Sequence, residues 1–295
     1  MKLYAPSYYK RFVCIADKCD HSCCIGWEID VDTVTYEKYK SYKGGYGKEI
    51  LNSISAEDTP HFVLCAHDRC PHLDERGLCR IILNAGGEYL CDICREHPRF
   101  YNYTAVAEVG LGISCREAAR IVLSSSGYDR MEQIGDVDAF EDEITFDGRL
   151  EREKIYRTLK DEGKSYEERL EVIYRTYGID AGKDEAWLEI IRNLEYLDDT
   201  HRSLFLKYSS AMRPKGKDEY LERALAYFIY RHLTEAYCME DLRERLSFCL
   251  LLERLLASLI CAEKAETLEE VAVLASIVSE EIEYSEDNTQ ALTFL

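Results

Sequence analysis

No stretch of this 295-residue chain is both long and free of charge, so none reads as a membrane span. The opening MKLYAPSYYKRF has neither the apolar run nor the small-residue cleavage site of a secretory signal, and we expect a reducing, cytoplasmic setting. Positive charge is scarce: 37 Lys and Arg stand against 56 Asp and Glu, for a net charge of -19. Such a surface repels phosphate backbones, so nucleic acid is not an expected partner, nor is a membrane. There is no GxGxxG after a strand, no P-loop, no HExxH and no GxSxG, and Gly110-Leu111-Gly112 is too short for a nucleotide fingerprint. These absences argue against a Rossmann methyltransferase, a dehydrogenase or a kinase.

Proline is rare as well, and its placement divides the chain. Pro6, Pro60, Pro71 and Pro98 precede residue 125 and only Pro214 follows. Charge divides in the same way: residues 1–125 carry 15 basic against 17 acidic residues (net -2), and residues 126–295 carry 22 against 39 (net -17). Ser124-Ser125-Ser126-Gly127 reads as a linker or helix stop. We therefore expect a cysteine-rich domain over residues 1–125 and an acidic α-helical domain over 126–295. The fold class is mainly α, a metal-binding N-terminal domain with short strands followed by a helical bundle.

Periodicity supports the second half. Leu221, Leu225, Phe228, Ile229 and Leu233 share one helical face, as do Leu188, Ile191, Leu194 and Leu197. Leu246 to Ala262 is apolar nearly all round and reads as the central helix of a bundle. Thr267 with Glu270 spells a capping box, and the polar tail after Tyr284 reads as frayed. In the first half, Trp27 to Asp32 alternates apolar and acidic residues like a half-buried strand, Thr33 to Lys43 reads as helix or turn, and a further helix is expected from Cys115 to Leu123.

What the chain has in abundance is cysteine, 13 in all. Ten lie in the first 115 residues: Cys14, Cys19, Cys23, Cys24, Cys65, Cys70, Cys79, Cys91, Cys94 and Cys115. Thiolates are the soft anionic ligands chosen by zinc and iron–sulfur clusters, and in a reducing compartment spaced thiols favour metal over disulfides. Cys91-Asp92-Ile93-Cys94 is the chelating CxxC step, although redox dithiols share it. Neither the set from Cys14 to Cys24 nor the set from Cys70 to Cys94 has closed four-ligand spacing, so the two are expected to meet at a shared site. His21, His67, His72 and His97 are further candidate ligands, each equally able to hydrogen-bond backbone or solvent. Cys238, Cys249 and Cys261 sit among Leu and Ile and read as core.

Several stretches resemble, in order, the flagellin lysine-N-methylase family: Phe12-Val13-Cys14, then Cys19, then Cys23-Cys24-Ile25-Gly26-Trp27. They continue with Cys65 to Leu73, Gly77-Leu78-Cys79-Arg80-Ile81, Tyr89 to Phe100 and Gly110 to Cys115. The chain is also similar to the CxxCxxCC group of zinc- or iron-chelating domains, whose eight cysteines correspond here to Cys14, Cys19, Cys23, Cys24, Cys70, Cys79, Cys94 and Cys115. With Cys91 of the CxxC step, these are the nine candidate metal ligands. The resemblance implies methyl transfer from S-adenosylmethionine to lysines of flagellin, or of another lysine-bearing protein, with a four-iron four-sulfur cluster or zinc as the metal. Departing from the CxxxCxxC of radical enzymes, Cys19-x3-Cys23 runs on to Gly26. A neutral amine must be presented, and Glu28, Asp30 and Asp32 are candidate bases. The alternative is a non-catalytic metal protein, either a chaperone, a sensor or a domain folded by its metal.

Overall fold

The computed structural model describes residues 1–57, 59–138, 146–180, 184–209 and 212–293. Two compact units emerge, and their borders differ from a division at residue 125: one is Val13–His97, the other combines Met1–Phe12 with Pro98–Leu295. The difference arises at both ends, since residues 1–12 and 98–125 fall in the second unit. Strand β1 (Lys2–Pro6) belongs to a sheet whose other strands come much later in sequence.

Within Val13–His97 the chain is loop-rich. Asp32 caps α1 (Thr33–Ser41) by accepting the Thr35 N–H at 2.8 Å. Then come α2 (Gly47–Asn52), a two-stranded ribbon of β2 (Ile54–Ser55) and β3 (His61–Phe62), and two five-residue helices, α3 (Arg80–Asn84) and α4 (Asp92–Glu96). The stretch Trp27 to Asp32 shows the alternation of a strand, with Ile29 and Val31 buried and Glu28 and Asp30 exposed. It pairs only through an isolated bridge from Asp30 to His61, so it forms no strand.

The second unit holds β4 (Arg99–Tyr103), β5 (Ala107–Leu111), α5 (Arg116–Leu123) and β6 (Met131–Asp136). The sheet order is β4-β5-β1-β6, with β1 parallel to β5 and the other pairs antiparallel. Every residue of β5 is buried, as a central strand requires. The stretch read as a linker near residue 124 is thus a turn leading into an edge strand.

Among the described residues eight α-helices follow: α6 (Gly148–Leu159), α7 (Tyr166–Tyr177), α8 (Asp184–Asn193), α9 (Asp199–Phe205), α10 (Asp218–His232), α11 (Met239–Glu263), α12 (Leu268–Val278) and α13 (Glu286–Thr293). The protein is mainly helical with a small mixed sheet. At 25 residues α11 is about 38 Å long and is buried from Phe248 to Ile260, which explains its apolarity all round. Thr267 and Glu270 form the reciprocal capping box of α12. In this half several expectations differ from the structure. Helix α8 stops at Asn193, leaving Leu197 exposed; the tail forms α13 and buries Leu292; Cys238 caps α11 and, like Cys261, is only partly buried, so Cys249 is the one of the three that lies in the core. No helix among the described residues is long and apolar enough to cross a membrane.

Candidate metal centre

Five thiols gather inside the unit Val13–His97. Cys70 and Cys91 are buried in its small apolar core with Ile29, Val31, Tyr39, Ile50, Phe62, Leu73 and Ile81, and Cys24, Cys79 and Cys94 pack against that core. Local sequence brings each of them in. Gly26, at φ 82°, lets the chain turn so that Ile25 bridges Arg69, and the Cys70 N–H donates to the Cys24 carbonyl at 2.8 Å. The carboxylate of Asp74 accepts the N–H groups of Arg76 and Leu78, and Gly77 takes φ 77°. That tight turn folds Cys79 back, where Leu73 bridges it.

Cys79 and Cys91 stand at the N-cap positions of α3 and α4, and Cys94 follows one turn along α4. Asp32 holds this corner: one carboxylate oxygen caps α1 and the other accepts the Asp92 N–H at 2.9 Å. Asp32 thus has a scaffold role, and against a burial penalty these donated hydrogen bonds lower its pKa.

The five thiols share one electrostatic environment. Burial pushes the Cys70 thiol up to about 12, and negative charge on Cys24, Cys79 or Cys91 would push in the same direction. Burial raises Cys79 too, again with Cys24 and Cys91 acting on it. Cys24 is held down to about 7 by a hydrogen bond from Cys23, with the Arg69 guanidinium assisting against burial. Cys91 is lowered and Cys94 raised by the hydrogen bond they share, the Cys94 S–H donating to Cys91. Soft all-sulfur donors crowded into one core fit the chemistry of zinc or an iron–sulfur cluster. Among the described residues, however, no three His, Cys, Asp or Glu side chains stand at metal-holding geometry.

The remaining candidates are not part of that apolar core, although Cys23 reaches Cys24 through its hydrogen bond. Cys14 and Cys23 are exposed, and the Cys19 S–H donates to the His21 carbonyl at 2.7 Å. Cys65 is exposed, and Cys115 precedes α5 in the other unit. His72 is a core histidine: Nδ1 meets the Tyr46 hydroxyl at 2.7 Å and Nε2 the Ser53 hydroxyl at 2.8 Å, while burial drops its pKa to about 4. With both ring nitrogens taken it has none left for a metal. Glu28 and Asp30 are exposed on the irregular segment. An open cavity of 590 Å³ in the same unit is lined by Arg69, Leu73, Asp74, Glu75 and Arg80, two of which neighbour Cys70 and Cys79 in sequence. Sequence reading missed it, and the charged residues flanking Cys70 and Cys79 were the available signal.

With this geometry in view, the chain matches a Lysine-N-methylase of Salmonella typhimurium at 28% identity over 127 residues, which is 40% of this chain and 32% of that protein. A Lysine-N-methylase of Salmonella choleraesuis matches to the same extent. The Flagellar biosynthetic protein FliU of Salmonella muenchen matches at 28% identity over 127 residues, 75% of its length. Over that stretch the chain is similar to proteins named Lysine-N-methylase and to one named for flagellar biosynthesis. The match spans about a third of the length of the two lysine-N-methylases. No family profile matches the chain, and no solved structure does.

Proposed function

We propose that this protein is a metal-dependent protein lysine N-methyltransferase acting on flagellin, with S-adenosylmethionine as methyl donor. The match to proteins named Lysine-N-methylase carries this reading, and the convergent thiols support it. Of the nine candidate ligands, Cys24, Cys70, Cys79, Cys91 and Cys94, which share the core of Val13–His97, are the residues that would hold a four-iron four-sulfur cluster or zinc, with Cys14, Cys19, Cys23 and Cys115 as further candidates. Bound there, an iron–sulfur cluster would supply sulfonium-binding and redox chemistry to a chain that carries no nucleotide fingerprint. In net terms the S–CH3 bond breaks, an N–CH3 bond forms on the lysine amine, and a neutral thioether and one proton leave. The protein's own groups hold the thiols in place: Asp32 pins α4, the Asp74–Gly77 turn returns Cys79, and Arg69 lies close enough to Cys24 to offset thiolate charge.

One observation favours a second reading, a domain merely folded by its metal: the same thiols make up much of the core of Val13–His97. The two readings separate on one experiment. Protein purified without oxygen is assayed for iron, sulfide and zinc, then incubated with S-adenosylmethionine and flagellin, with methylation read as mass increments on tryptic peptides. We expect a brown, iron-containing protein that methylates, and a Cys94→Ser variant that loses metal and transfer together. Colourless zinc protein without transfer would establish the structural reading instead.

A further inference from the structure

Far along the chain from the thiols, helices α8 and α13 enclose a groove of 400 Å³ lined by Glu189, Ile190, Asn193, Leu194, Glu195, Asp287, Asn288 and Ala291. Its floor is aliphatic and its rim is anionic. Ile190 on the last turn of α8 and Leu194 just past its end line one wall, and Ala291 on α13 lines the other. Glu189, Glu195 and Asp287 are exposed around them. The walls are stitched together by the buried Asn288, which donates to the Glu195 and Glu281 carbonyls at 2.7 Å each and accepts the Glu195 N–H at 3.1 Å. The groove is thus a fixed feature of the packing.

We propose that this groove docks a lysine side chain of a partner protein, with the methylenes along Ile190, Leu194 and Ala291 and the ammonium among Glu195, Asp287 and Glu189. Three features select that occupant. A lysine side chain is an aliphatic stem with a compact cationic tip, the complement of an apolar floor under an acidic rim. The C-terminal end of α8 opens beside the rim and adds the negative pole of a helix. Glu189 already meets Arg192 at 3.3 Å, but no described lysine, arginine or histidine pairs with Glu195 or Asp287. A bare metal ion is a poorer fit, because no three acidic groups among the described residues converge at metal-holding geometry. The choice of lysine over arginine rests on the methylase reading, whereas the choice of a cation rests on the groove itself.

The test uses the full chain and a fluorescein-labelled peptide of four Lys-Ser-Gly repeats, with binding read by anisotropy in low salt and without methyl donor. Glu195→Gln/Asp287→Asn should weaken binding about tenfold. Ala291→Phe, which fills the floor without changing charge, should weaken it comparably. Glu167→Gln/Glu171→Gln removes the same charge from the exposed face of α7 and should leave binding unchanged. Equal weakening by the α7 pair, or no effect of Ala291→Phe, would reduce the attraction to net charge and overturn the groove. Equal binding of an Arg-Ser-Gly peptide would overturn the assignment to lysine. Intact docking with no methyl transfer would refute the methylase reading alone, and methylation undisturbed by the groove variants would refute the groove alone.

Discussion

Three carboxylates, those of Glu280, Glu281 and Glu283, are buried where α12 runs into a π-helical turn, Ser279–Glu283. The wider turn directs them inward, where each buried charge demands a partner. Glu283 accepts from His232 Nε2 at 2.6 Å and from the Tyr227 hydroxyl at 3.1 Å, with Arg231 alongside. Glu281 accepts the N–H groups of Leu197 and Asp198 and meets His201 Nδ1 at 2.5 Å. Burial works against a charged His201, yet the hydrogen bond and charge of Glu281, with Asp198 and Glu280 beyond, raise its pKa. A group whose folded pKa is raised contributes stability in full below its unfolded value, about 6.5 for histidine, and loses it as pH rises through the folded value. Replacing His201 by Gln should therefore cost on the order of 1–2 kcal/mol near pH 5.5 and clearly less near pH 8.5, by urea denaturation at both. A gap of the same size at both pH values would show that protonation of His201 plays no part.

At the scale of elements, the tie between β5 and α6 is an ion pair. Arg152 donates to both carboxylate oxygens of Glu108 at 2.7 Å and to the Thr234 hydroxyl at 2.8 Å, and both charged side chains are at least 95% buried. Arg152→Met would leave Glu108 buried without its cation and should cost about 3–5 kcal/mol in denaturant unfolding, whereas the double change Arg152→Met/Glu108→Leu should recover most of it. A single variant as stable as wild type would show that water reaches Glu108. None of this was legible in the sequence, because Glu108 and Arg152 are far apart in the chain and neither sits in a pattern that marks it as buried. The legible elements are local ones. The apolar face of α10 and the Thr267–Glu270 box of α12 depend on residues three or four apart, and both form as read. Strand β6 escaped because its register is set by β1, more than a hundred residues earlier, and none of its own residues, Met131 to Asp136, is buried. The last helix escaped likewise: α13 buries few apolar side chains and is held by Asn288 and Thr289 bonding back to the preceding turn.

At the scale of the whole molecule, the two units differ in what holds them. The unit containing the sheet and α5–α13 has a large continuous apolar core, whereas the core of Val13–His97 among the described residues is nine side chains, two of them cysteines, with three more cysteines packed against it. A core that small falls short of offsetting the entropy of ordering so many loop residues, and a shared metal is the natural staple. The sequence made the abundance of thiols obvious but hid which would gather, since Cys24 meets Cys70 only through the Ile25–Arg69 bridge and Cys79 returns only because Asp74 and Gly77 make a turn. The units should therefore respond differently to loss of the staple. Cys79→Ser, or a chelator added to wild type, should accelerate amide hydrogen exchange across residues 13–97 by about a hundredfold or more, as expected when several kcal/mol of local stability are lost. Peptides from α10, α11 and α12 should keep their protection, because their apolar faces are buried without any thiol of the first unit. Uniform acceleration along the whole chain would mean that the two units unfold as one. Protection unchanged in residues 13–97 would mean that the five thiols form a self-sufficient core and that metal, if bound, serves chemistry alone.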